Sequence, residues 1–255
     1  MQDTQSFHAM YRTLEKRMEA QAESDGDIYL PNLTPDVPVD YVFICMEPSI
    51  GRWGKTPAIA KSRIANGFRN FIYSLDDFIL HYCATRYLCD ANERYHVTDV
   101  SKGAMPVEHA AVGRVERYIR WHRLLEDELK LILRPEAGVI AVGKSVADHL
   151  QRQNFERRFV PILHYSGQAA AWRKAGIVGR ELQFEEFRDT VSLRDVLSNA
   201  DAVMVAADIP AKIRDETLSR LSRSPLSDSR RQLMFIYKTD FERIRKDRRA
   251  TAGAV

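Results

Sequence analysis

The chain has 255 residues, 45% of them hydrophobic, with a formal net charge of +3. That is enough for one α/β domain with a sizeable core. No apolar run approaches the ~20 residues of a membrane span, the N-terminus lacks a signal-peptide pattern, and Cys45, Cys83 and Cys89 have no metal-ligand spacing; these features set aside membrane spans, disulfide frameworks and iron–sulfur clusters and make a cytoplasmic protein the expectation.

In chain order, Phe7–Ala22 has helical spacing (Phe7, Met10, Tyr11, Leu14, Met18), and a Ser/Asp/Gly/Pro-rich loop follows to Pro38. Val39–Met46 is an almost wholly apolar strand that runs into a turn holding Glu47, Pro48, Ser49 and Gly51. Such strands are usually buried in parallel sheets, and ligands bind where they end. Arg63–Cys83 reads as a helix with a core stripe of Phe68, Phe71, Ile72, Leu75, Phe78 and Ile79. Arg94–Val100 is a short strand ending in Thr98 and Asp99. Val107–Leu133 is a long helix stopped by Pro135. Gly138–Val142 is a third strand with a helix from Lys144, and Arg158–Leu163 a fourth that enters His164-Tyr165-Ser166-Gly167. A helix at Gln183–Leu197, a strand at Ala202–Ala206 and two basic helices complete the chain. Strand–helix alternation predicts an α/β fold with a mainly parallel four-stranded sheet between helix layers. The expected organisation is one domain: residues 1–38 as an N-terminal helix and loop, 39–206 as the core, 207–255 as a basic helical segment. Residues 211–255 hold twelve Lys/Arg against six Asp/Glu, so +6 lies in the tail and −3 in the rest. That tail suits a phosphate backbone and equally a solvated helix.

Gly138-Val139-Ile140-Ala141-Val142-Gly143-Lys144-Ser145 fits GxxxxGK[ST] by letter. A working phosphate loop needs its middle residues in a flexible loop after the strand, with amides turned to phosphates. Here the middle residues are the strand itself, so nucleotide hydrolysis is set aside. Lys144 is expected at the strand-to-helix turn.

Three strand ends offer polar groups to one rim: Glu47, then Thr98-Asp99, then His164-Tyr165-Ser166. Each alone is an ordinary strand end. Together, a carboxylate that positions water and a histidine that stabilises a leaving anion make a hydrolytic pair. The order and flanks of these motifs resemble the uracil-DNA glycosylase superfamily. In that family a Gly-x-x-Pro-Gly-like turn carries the water-positioning Asp, Glu or Asn, a middle strand ends in Thr-Asn, often with a following Lys, and a later strand ends in His-Pro-Ser. The counterparts here are Cys45-Met46-Glu47-Pro48-Ser49, Thr98-Asp99-Val100-Ser101-Lys102 and His164-Tyr165-Ser166. The likeness covers roughly residues 39–172. Cys45 and Ser49 replace the usual glycines, Tyr165 replaces proline, and the cluster cysteines of the iron–sulfur branch are absent.

The resemblance implies a three-layer α/β/α fold and catalysis by Glu47 on water and His164 on the departing base. It implies DNA contacts from Pro48, Ser49, Lys102, Lys144, Tyr165, Ser166 and Gly167, with Gln168 as the wedge into the base stack. A flipped base needs an aromatic sandwich; Phe68 is the first choice and Trp53 the second, with Met46 beside them. The implied partner is double-stranded DNA and the expected state a monomer, with no metal or diffusible cofactor and no membrane. Asp99 stands where the family's Asn reads the uracil edge. An ionised Asp offers acceptors only, which repels uracil O4 and suits the exocyclic amine of cytosine. Since excision of ordinary cytosine would be suicidal, the expected target is a modified cytosine, such as the glucosylated hydroxymethylcytosine of phage DNA, which would make the chain an anti-phage enzyme. The alternatives are an ordinary uracil-DNA glycosylase of base-excision repair, a catalytically silent DNA-binding relative, and an unrelated α/β protein that binds a nucleotide or small anion.

Overall fold

The structure, a computed structural model, describes residues 4–51 and 53–252, with Thr4, Gln5, Gln168, Thr251 and Ala252 described by their backbone alone. In chain order the elements are α1 (Thr4–Ser24), β1 (Ile28–Tyr29), β2 (Val39–Cys45), β3 (Ser49–Ile50), α2 (Pro57–Ala65), α3 (Leu75–Cys83) with a π-helical extension Ala84–Leu88, β4 (Tyr95–Asp99), β5 (Gly103–Pro106), α4 (Arg114–Ile132) and β6 (Leu133–Val142). There follow α5 (Lys144–Arg152), β7 (Phe159–Ile162), α6 (Ala170–Ala175), α7 (Glu181–Arg188), α8 (Leu193–Ala206), α9 (Ala211–Leu221) and α10 (Asp228–Ala252). The fold class is α/β. Its main sheet has the order β4-β2-β6-β7 with all strands parallel, which fits a three-layer α/β/α arrangement. A small second sheet, β1-β5-β3, had no clear signal in the sequence.

The chain forms two compact units, one of residues 1–70 and 94–159, the other of 71–93 and 160–255. They cut across the three segments expected from the sequence. In the first unit β2 is buried along its whole length, as a central strand must be, with its alternate side chains pointing to opposite faces. Val42 and Ile44 join Val139 and Ala141 in a core with Phe7 and Tyr11 of α1, Tyr118, Leu125 and Leu129 of α4, and Val146 and Leu150 of α5. The residues of the apparent phosphate loop, Val139–Val142, are buried strand, and Gly143 supplies the left-handed turn (φ 93°) into α5.

Three sequence expectations are corrected first. The helix expected over Arg63–Cys83 is two helices. Gly67 (φ 97°) and Phe71 (φ 61°) leave helical space between them, and Ser74 restarts the helix with a capping box to Asp77. The expected stripe is nonetheless buried throughout. The helix expected from Val107 begins at Arg114, because Gly113 is left-handed (φ 59°). Pro135 does not stop α4; it lies inside β6, which starts at Leu133. The pairing register jumps from Val39↔Leu133 to Tyr41↔Gly138, so Pro135 sits in an irregular stretch where its missing N–H costs no ladder bond.

In the second unit, Gln183–Leu197 is again two helices, and the strand expected over Ala202–Ala206 is the end of α8. The buried Val196, Ala200 and Met204 recur every four residues, the period of a helix face. Ser192 starts α8, its Oγ accepting from Asp195 N–H at 3.2 Å while Asp195 accepts from Ser192 N–H. Ser192→Ala is expected to cost about 1 kcal/mol of stability in urea unfolding. An unchanged midpoint would show the cap to be idle. The basic tail is not a solvated appendage: Leu233, Met234, Tyr237 and Phe241 of α10 are fully buried.

Candidate active site

The two strand-end carboxylates of the first unit come together through the sheet register. Cys45 pairs with Asp99, so Glu47 lies two residues past the partner of Asp99, and Val100 N–H donates to the carbonyls of Cys45 and Met46 at 2.9 and 3.0 Å. Both side chains are shielded, Glu47 at 2% and Asp99 at 2% exposure.

Glu47 is held by two residues of α4. Arg114 donates from Nη2 to Oε1 (2.7 Å) and from Nε to Oε1 and Oε2 (2.9 and 3.2 Å), and Tyr118 Oη donates to Oε2. Arg114 and Tyr118 are four residues apart on one helix face, the spacing that lets two side chains meet one acceptor. Burial, with the Glu47 charge and hydrogen bond beside it, holds the Tyr118 phenol well above its usual range, so it is a donor. Behind it, the His149 ring meets Tyr118 edge-on at 5.2 Å, and its Nε2 lies 3.1 Å from His122 Nδ1. Burial, with His122 and Arg152 nearby, pushes His149 down to about 4.

Asp99 has the opposite surroundings. Asn70 Nδ2 donates to its Oδ2 at 2.5 Å, and among the described residues no cation lies within ion-pair reach of its carboxyl group. Lys102 is spent elsewhere: its Nζ donates to the Asp99 main-chain carbonyl (2.8 Å) and to Glu128 Oε2 (2.6 Å). Burial raises the Asp99 carboxyl well above the usual carboxylate range; Lys102 opposes this, and Glu47 and Glu128 add to it. The acid is therefore favoured as neutral, with an O–H donor beside its acceptors. Burial thus works against the acceptor-only Asp99 expected from the sequence.

Beneath it runs a closed polar chain: Asn70 Nδ2 to Asn32 Oδ1 (3.3 Å), Asn32 Nδ2 to Thr98 Oγ1 (3.0 Å), and Thr98 Oγ1 to Glu128 Oε2 (2.8 Å). Glu128, fully buried, is nevertheless lowered to about 2, because Lys102 and His96 outweigh its desolvation.

The remaining expected residues are placed as follows. Phe68 and Trp53 are buried and stack on each other (4.8 Å, 18°), with the Arg63 guanidinium 5.9 Å from the Phe68 ring. One face of each ring is thus already covered. Met46 is half-buried against the core, Pro48 is buried, and Ser49 belongs to β3, paired with Met105. Lys102, expected at DNA, is 2% exposed and bound to Glu128, so it is not offered to a phosphate. Lys144 is exposed and paired with Asp148. Two cavities of this unit, one by Met10, Leu14 and Arg17, the other by Asn154, Phe155 and Arg157, touch neither Glu47 nor Asp99.

In the second unit His164 lies two residues beyond β7. Its Nδ1 accepts from Ser166 N–H at 2.9 Å, so the neutral ring carries its proton on Nε2, and it stacks on Tyr165 (4.7 Å, 19°). The buried Arg173 pins this loop, donating to the carbonyls of Tyr165 and Ser166 and to Ser229 Oγ. Gly167 is exposed, and the Gln168 side chain lies outside the described residues. Most tail cations are neutralised within the unit: Arg230 on Asp76, Arg248 on Glu93, Arg245 and Arg249 on Asp90, Arg214 on Asp201.

Arg114, Tyr118, Asn70 and Asn32 were not foreseen. The i, i+4 spacing of Arg114 and Tyr118 was a usable signal; the two asparagines carried none. No protein-family model, curated protein or solved structure matches this chain, so the likeness to glycosylases rests on the motifs alone. Among the described residues no helix is long and apolar enough to cross a membrane.

Proposed function

We propose that the chain is a monofunctional DNA glycosylase of the uracil-DNA glycosylase kind. It hydrolyses the N-glycosidic bond of a flipped, modified cytosine in double-stranded DNA, such as glucosylated hydroxymethylcytosine of phage DNA, and leaves an abasic site. The observation that carries this reading is the pair of carboxyl groups at adjoining strand ends of a parallel sheet, one salt-bridged and one hydrogen-bonded to an amide. Two acidic groups in unlike surroundings are the usual arrangement of acid and base roles. Glu47 steadies the oxocarbenium-like sugar and orients water. The part given to His164, donation from Nε2 to the leaving base, rests on the His-Tyr-Ser motif and on the tautomer fixed within its own loop.

A second reading has an observation of its own. Glu47 is 2% exposed and engaged by Arg114 and Tyr118 on both oxygens, which suits a silent relative that binds DNA without base release. Duplexes carrying uracil, cytosine or glucosylated hydroxymethylcytosine, incubated with the protein and then cleaved with alkali, separate the two. Strand breaks at the modified cytosine support the glycosylase; binding with no breaks on any duplex supports the silent relative.

A further inference from the structure

Asp99 is more than a reader of the base edge. Its carboxyl group ends β4 beside the Glu47 turn, receives the neutral Asn70 amide, and has its nearest cation turned away to a main-chain carbonyl and to Glu128. The charged or titratable groups facing it are Glu47 and Lys102, with Glu128 and Tyr118 on α4. This rests on the glycosylase reading above. We propose that Asp99 is the general acid of the reaction: it accepts from the exocyclic amine of the flipped cytosine and gives its proton to ring N3.

The step balances. The Asp99 proton passes to N3, the C1′–N1 bond breaks, and its electron pair leaves with the base as a neutral N3-protonated tautomer. Water oxygen then bonds to C1′ and gives up its proton to Glu47. Asp99, left as a carboxylate, regains a proton from solvent, and Glu47 returns one. The chemical need is specific to cytosine. With a single ring carbonyl, its anion is a poorer leaving group than that of uracil, and N3 carries a free lone pair that a proton can occupy. Uracil N3 already bears hydrogen, so it cannot take up this proton. Specificity for a cytosine-type base would then arise in the chemical step, since a carboxylic acid with both a donor and an acceptor can pair with either base edge.

The test is single-turnover base release across pH by wild type and Asp99→Asn, on duplexes carrying glucosylated hydroxymethylcytosine or uracil. Wild type should release the modified cytosine at a rate that falls tenfold per pH unit above the Asp99 pKa. Asp99→Asn should lose that limb and roughly 10²–10⁴ in rate, while any uracil release stays equal or rises. An Asp99→Asn enzyme with the wild-type rate and pH profile overturns the inference and leaves the glycosylase standing. A wild-type profile flat at alkaline pH does the same even if the variant does not fold. Release of no base from any duplex overturns both.

Discussion

Glu47→Gln is expected to slow base release by roughly 10²–10⁴ while DNA binding is retained. Gln keeps the shape and still accepts from Tyr118, but Arg114 loses its charge partner and the site loses the negative charge that would face an oxocarbenium-like sugar. Arg114 is partly exposed, so its freed guanidinium can return to water, which limits the cost to folding. His164→Ala should show a comparable loss, since it removes the Nε2–H donor that the Ser166 amide fixes in place. Single-turnover rates beside an equilibrium binding assay separate chemistry from affinity. Unimpaired release by both variants would remove these residues from the mechanism.

Lys102→Met is expected to destabilise the first unit by about 3–5 kcal/mol, because it strands the Glu128 charge in a dry site. The pair is 2.6 Å apart, with side chains 2% and 0% exposed. Glu128 has no route to water, and His96 at 3.7 Å is a weaker substitute. At about 2–4 °C per kcal/mol for a chain near this size, the melting point should fall by roughly 6–20 °C. Glu128 also sets a pH dependence. Its folded pKa, about 2, lies below its unfolded value of about 4.5, so its contribution is present above pH 4.5 and lost as pH falls toward 2. Lys102→Met should weaken that acid limb. A variant that melts with wild type would mean that the buried pair contributes no net stability.

Much of the sheet was legible because apolar strands bounded by turn residues announce themselves: β2, β4, the paired part of β6, and β7 all fall where the sequence places them. Helix boundaries were less legible, for a local reason. The Arg63–Cys83 stripe is buried whether the chain is helical or not, so burial alone could not reveal the break at Gly67 and the restart at Ser74. Pro135 misled in the opposite sense, since a proline tolerated in an irregular strand carries the same letter as one that stops a helix. In the site, Glu47 and Asp99 were readable as strand ends, but their electrostatic setting was not. That depends on partners brought from Asn70 and Arg114, far along the chain, and on Lys102 turning to Glu128 instead of to Asp99. The tail cations were counted correctly, but their pairing was not legible, because acidic partners such as Asp76, Asp90 and Glu93 lie on α3 and in the stretch before β4.

The most direct measurement is single-turnover release by the 255-residue chain from three matched duplexes, differing only in carrying uracil, cytosine or glucosylated hydroxymethylcytosine at one position. The account predicts alkali-labile sites at the glucosylated base and none at uracil or plain cytosine. Efficient release of uracil with no activity on any cytosine form would contradict it and leave an ordinary uracil glycosylase.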